Sequence, residues 1–85
     1  MTIGWKAFNN ALHKTFVFDS FEQAIFFMQE SAIGISKLNH HPEWTNVYNK
    51  VICKLTTHDK GNTITDLDNQ LAVLLDTEFI RVKGE

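Results

Sequence analysis

The chain of 85 residues holds one cysteine, one proline and four glycines, and no long apolar run. With Cys53 alone no intrachain disulfide can form, and a reducing, cytoplasmic location is expected. Lysine and arginine number 8 against 10 acidic residues, a formal net charge of −2. Sequence-independent nucleic-acid binding needs a basic surface, so no nucleic-acid partner is expected. No apolar stretch is long enough to cross a bilayer, and Met1-Thr2-Ile3-Gly4-Trp5 does not open a signal peptide, so no membrane role is expected either. No repeat, linker or low-complexity segment interrupts the chain, and residues 1–85 read as one domain.

What is present is patterned. Apolar residues make up 44% of the chain, enough for a packed core rather than disorder. Residues 4–18 read as a hairpin turning at Asn9-Asn10. Leu12, Phe16 and Phe18 fall on one side of its second strand, with His13, Thr15 and Val17 on the other; Lys14 breaks the apolar side. Asp19 is the expected N-cap of a long helix, with Glu22 completing a capping box. Phe21, Ile25, Met28, Ala32, Ile35 and Leu38 follow at helical spacing, widened by Phe26, Phe27 and Ile33. Gly34 weakens the last turns by about 1 kcal/mol relative to alanine. Asn39 and Pro42 end the helix.

Two further strands are expected at Trp44–Tyr48 and Val51–Thr57, around a turn at Asn49-Lys50. Thr65 (or Thr63) caps a last helix that carries Asp66 and Asp68 in its first turn, where the dipole favours carboxylates. Leu67, Leu71, Leu74 and Leu75 form its apolar face, joined by Phe79 if it runs that far, and residues 81–85 are expected to fray. The order predicts an α+β fold: a single four-stranded antiparallel sheet with two helices packed on one face.

His40, His41 and His58 are the concentrated titratable set. Histidine exchanges protons near neutral pH. Pro42 pushes His41 into an extended conformation, so the pair sits on a stiff loop just past a helix end. One reading is general acid–base catalysis. A second is a metal site, for which adjacent histidines without HxH or HxxxH spacing are poor ligands; no metal is expected. A third is that His40 and His41 only cap the helix, whose C-terminus favours cations. Cys53, on the apolar side of its strand, reads as a core residue. Trp44 and Tyr48 suit either stacking on a planar heterocycle or packing. Asp66 and Asp68 read as helix-start carboxylates, with Asp68 able to point at the histidines.

The run His40-His41-Pro42, then Tyr48, His58 and Asp68, resembles the signature of the pterin-4a-carbinolamine dehydratases. The likeness covers Trp5 to Ala72 and is strongest from Asn39 to Thr57. It implies the α+β fold above, with three helices in the family, and dehydration of 4a-hydroxytetrahydropterin to quinonoid dihydropterin. That step recycles the pterin cofactor of aromatic amino acid hydroxylases and needs no metal or organic cofactor. By motif match His40, His41 and His58 take the family's three active-site histidines. On that basis His40 and His58 are the expected catalytic pair, and His41, Pro42, Trp44 and Asp68 the substrate-binding set. Two departures stand out. The family usually has an ionisable residue four positions before the first histidine, where this chain has Ser36. Many members carry an N-terminal helix before the first strand, expected to be absent with four residues ahead of Trp5. Some relatives instead act as dimerisation partners of a transcription factor, which is the alternative function. A small chain with so apolar a long helix is expected to form a homodimer or homotetramer.

Overall fold

The period-two pattern of residues 11–17 and 50–55 builds the centre of the sheet. A computed structural model describes residues 4–84. Strands β1 (Lys6–Phe8), β2 (Ala11–Val17), β3 (Glu43–Val47) and β4 (Lys50–Leu55) form one antiparallel sheet in the order β1-β2-β4-β3. Helices α1 (Phe21–Leu38) and α2 (Asp66–Lys83) pack on the face that carries Leu12, Phe16, Val51, Cys53 and Leu55, all buried. The α+β architecture is therefore the one expected. Phe16 sits among Phe27 and Phe79, and Phe18 touches the same two rings, with centroids 5.0–5.2 Å apart. The spacing suits tilted and edge-on aromatic pairs.

Several local expectations are corrected. Ser20, not Asp19, caps α1: its Oγ accepts from the Gln23 amide at 3.1 Å, and Gln23 Oε1 accepts from the Asp19 amide at 2.8 Å. The Asp19 carboxylate instead accepts from Lys83 Nζ at 3.0 Å, which ties down the end of α2. Residues 81–83 accordingly stay helical, and Gly84 closes the helix in the left-handed region. The second hairpin turns at Tyr48-Asn49, one residue earlier than expected, because Val47 pairs with Lys50. Asn46 Nδ2 braces that turn by donating to the carbonyls of Tyr48 and Lys50.

The buried face of α1 is also rotated from the expected stripe. Ala24, Phe27, Ser31 and Ile35 are buried, whereas Phe21 and Ala32 are exposed. Gly34 lets α2 come close: a Cβ there would lie 2.7 Å from Leu74 Cδ1. Phe26 and Ile33 face outward, 49% and 58% exposed.

Candidate active site

The end of α1 places the first histidine. Asn39 takes the left-handed conformation (φ 55°) and its amide donates to the Ile35 carbonyl at 2.9 Å, so the chain leaves the helix at His40. Asparagine tolerates that conformation better than most residues. From the other side, β4 ends at Leu55 and the chain passes through buried Thr56 and Thr57 into a short 3₁₀ turn, His58–Lys60. Gly61 and Asn62, both at positive φ, reverse the chain so that Thr57 pairs with Thr63. Thr65 then opens α2.

These segments enclose a cleft of about 250 Å³ lined by Asn39, His40, His41, Thr56, Thr57, His58, Asp59 and Leu67. The adjacent pair His40-His41 and the distant His58 are thus brought to one surface. The volume lies below the roughly 300–1,000 Å³ of pockets for drug-sized ligands, which suits a small ring system.

His40 Nε2 lies 2.7 Å from Asp68 Oδ1. The Asp68 side chain is 0% exposed and the His40 side chain 12%. Asp68 Oδ2 accepts from Thr57 Oγ1 at 2.8 Å and from the Thr65 amide at 2.9 Å. The second of these bonds is the capping-box half that starts α2. One carboxylate therefore anchors a helix and orients a histidine. A carboxylate that accepts from three donors requires His40 Nε2 to carry its proton. Nδ1, on the other side of the ring, has no partner among the described residues.

His58 is held from the other nitrogen. Its Nδ1 contacts Asn62 Oδ1 at 2.6 Å, which makes Nδ1 the donor and leaves Nε2 open. His41 is exposed at the cleft.

Asp68 was expected to touch substrate. It is wholly buried, with one carboxylate oxygen on His40 and the other on Thr57 and the Thr65 amide, and it is not among the residues lining the cleft. Trp44 stands opposite Cys53 on the core side of β3, with its ring 6.4 Å from Phe27, and it does not line the cleft. Pro42 also lies outside the lining. Ser36 is exposed, and its hydroxyl makes no hydrogen bond to His40 among the described residues. Thr57 escaped sequence reasoning. Its one signal is position: it directly precedes His58 at the end of an apolar strand.

Cys53 is core, 1% exposed, and burial pushes its thiol up to about 12. It takes no part in the cleft. Among the described residues no group of three or more His, Cys, Asp or Glu side chains is arranged to hold a metal ion, and no helix is long and apolar enough to cross a membrane.

Residues 1–77 match the family model described as pterin 4 alpha carbinolamine dehydratase. The chain belongs to that family. A relative from Opitutus terrae, provisionally named a pterin-4-alpha-carbinolamine dehydratase, is 48% identical over 69 residues, 81% of this chain and 71% of its own length. A second with the same provisional name, from Rhizobium leguminosarum bv. trifolii, is 50% identical over 81 residues, 92% of this chain and 78% of its own. Among solved structures, a transcriptional coactivator/pterin dehydratase from Brucella melitensis superposes with a TM-score of 0.85 at 37% identity, covering 91% of this chain and 83% of that one. A pterin dehydratase-like protein identified as a RuBisCO assembly factor in the alpha-carboxysome shares the fold, with a TM-score of 0.71 at 18% identity, over 95% of this chain and 88% of that one.

Proposed function

We propose that this family member dehydrates 4a-hydroxytetrahydropterin to quinonoid dihydropterin by histidine acid–base catalysis, recycling the pterin cofactor of aromatic amino acid hydroxylases. The observation that carries this reading is the buried Asp68 carboxylate holding His40 beside a cleft that His41 and His58 also line.

The reaction breaks the C4a–O bond and the N5–H bond, forms a C4a=N5 double bond and releases water. It needs one group to protonate the departing hydroxyl and another to take the N5 proton. With its proton on Nε2, His40 offers the Nδ1 lone pair as the base. As that nitrogen gains a proton, the adjacent carboxylate stabilises the positive charge on the ring, as a buried aspartate does for histidine in a hydrolase triad. His58, its Nδ1–H held by Asn62, serves as the acid in the doubly protonated form, in which Nε2–H gives its proton to the departing hydroxyl; the proton that His40 takes from N5 returns to His58 through solvent. His41 is the substrate-orienting donor, with its backbone fixed by Pro42. Each positioned acid or base is worth on the order of 10²–10⁴-fold.

The protein acts in this reading as a homodimer or homotetramer in a reducing cytoplasm. The outward Phe26 and Ile33 of α1, and Val17, Ile52 and Val47 of the strands, favour assembly, since all are at least 44% exposed. A second reading, a non-catalytic binding role like that of a transcriptional coactivator, a description carried by the Brucella melitensis protein, rests on those same exposed side chains. The discriminating experiment adds purified protein to freshly generated 4a-hydroxytetrahydropterin. The dehydratase reading expects quinonoid dihydropterin to form well above the spontaneous rate. No acceleration at micromolar protein leaves the binding reading in its place.

A further inference from the structure

We infer that the hydroxyls of Thr57 and Thr65 form a positioning relay that fixes the Asp68 carboxylate and, through it, the tautomer of His40. The inference deepens the dehydratase reading and rests on it for its kinetic readout.

Hydrogen counting sets the direction of the relay. Thr57 Oγ1 lies 2.8 Å from Asp68 Oδ2 and 2.6 Å from Thr65 Oγ1. A hydroxyl has one proton and two lone pairs. The carboxylate only accepts, so Thr57 spends its proton on Oδ2. The contact between the two hydroxyls must then use the proton of Thr65. Thr65 Oγ1 is 3.5 Å from Oδ2, too far for a good bond of its own. All the protons therefore run one way, from Thr65 to Thr57 to Asp68. Oδ2 is filled by the Thr57 hydroxyl and the Thr65 amide, and only Oδ1 remains for His40.

Geometry gives the relay its purpose. Helix capping alone needs one acceptor at Oδ2, and the Thr65 amide already supplies the donor. The buried Thr57 hydroxyl is not a member of the capping box, which Thr65 and Asp68 form. What it does is lock the carboxylate's rotation from a separate segment at the end of β4. Held at both oxygens, Asp68 cannot swing to offer His40 a different angle. Positioning groups of this kind must be held within about 0.5 Å to keep a catalytic ring productive. Thr57 also lines the cleft, so the same residue bounds the substrate space and braces the group behind it.

The test compares wild type with Thr57→Val, which keeps the shape and removes the hydroxyl, and Thr57→Ser, which restores it. Ring nitrogen NMR reads the His40 tautomer without any substrate, and steady-state kinetics reads kcat and KM. Wild type and Thr57→Ser should show the Nε2-protonated ring. Thr57→Val should show a mixture with the Nδ1-protonated form, with kcat down by about tenfold and KM within about twofold. A His40 spectrum in Thr57→Val that matches wild type overturns the relay. If Thr57→Val does not fold, Thr57→Ala carries the test, because it removes the same hydroxyl and leaves the Thr65 cap in place. An unchanged His40 tautomer in that variant likewise overturns it. If wild type fails to accelerate dehydration, the functional reading falls, while the tautomer spectra still decide the relay.

Discussion

Gly34 of α1 and Leu74 of α2 stand so close that a Cβ on the glycine would come within 2.7 Å of Leu74 Cδ1 and 3.2 Å of its Cγ. The glycine is thus a packing residue. Alanine there would gain about 1 kcal/mol of helix propensity but overpack the contact, at a cost of about 1–3 kcal/mol. Gly34→Ala is expected to destabilise by about 1 kcal/mol in urea titration. In a Leu74→Ala background, where the clash is gone, the same change should stabilise. Three positions earlier, Ser31 is wholly buried and its Oγ has no hydrogen-bond partner among the described residues. Ser31→Ala should raise stability by about 1 kcal/mol by removing that unmet group.

Lys14 interrupts the apolar side of β2, and the structure supplies the reason. Its Nζ lies 2.7 Å from Asp76 Oδ1, and the same carboxylate accepts from the Trp5 indole at 3.1–3.2 Å. Asp76→Ala leaves the part-buried indole N–H without its acceptor and is expected to cost about 1–3 kcal/mol. Lys14→Met, which keeps an apolar stem over Trp5 and Phe16, should cost less than Asp76→Ala. Thermal melts of the two variants decide the order.

Burial raises the Cys53 thiol from an ordinary value of 9.0 to about 12, with the Lys14 charge opposing and Asp76 adding to the rise. The folded chain therefore keeps its proton where the unfolded chain has lost it. By linkage this contribution to stability is fully present below pH 9 and is lost as pH rises towards 12. Cys53→Ala should flatten the fall in stability over that window. A thiol reagent at pH 8 should label Cys53 only after denaturant is added.

Phe26 and Ile33 lie two turns apart on the outer face of α1. If they belong to an interface between copies, Phe26→Asp with Ile33→Asp should give a monomer by sedimentation at micromolar concentration, where wild type is dimeric or tetrameric. A monomeric wild type would remove the assembly proposal.

The sheet and both helices were legible because their periods, two and 3.6, are written in large apolar residues such as Phe16, Val51 and Leu71. The face of α1 is less legible for the same reason. The large apolar residues Phe21, Ile25 and Met28 suggest one stripe, while the buried face is Ala24, Phe27, Ser31 and Ile35, with Gly34 packed against Leu74. The cap moved from Asp19 to Ser20 because both residues can cap, and the side-chain bond to Gln23 selects one. The three histidines could be grouped from the motif. The link from His40 to Asp68, 28 positions away, exists only once α2 is docked. Trp44 looked available to a ligand because an alternating strand does not say which of its faces meets the helices.

The central claim is that His40 and His58 divide between them the two proton transfers of one dehydration. The most direct measurement is stopped-flow absorbance of pterin carbinolamine dehydration at neutral pH with His40→Ala, His58→Ala, the double variant and His13→Ala. His13 stacks on Phe8 away from the cleft and serves as the control. Each single loss should lower kcat by on the order of 10²-fold or more. The double variant should cost less than the two free-energy losses added together, and His13→Ala should run at the wild-type rate. Folded His40→Ala and His58→Ala variants that both dehydrate the substrate at the wild-type rate would contradict the account.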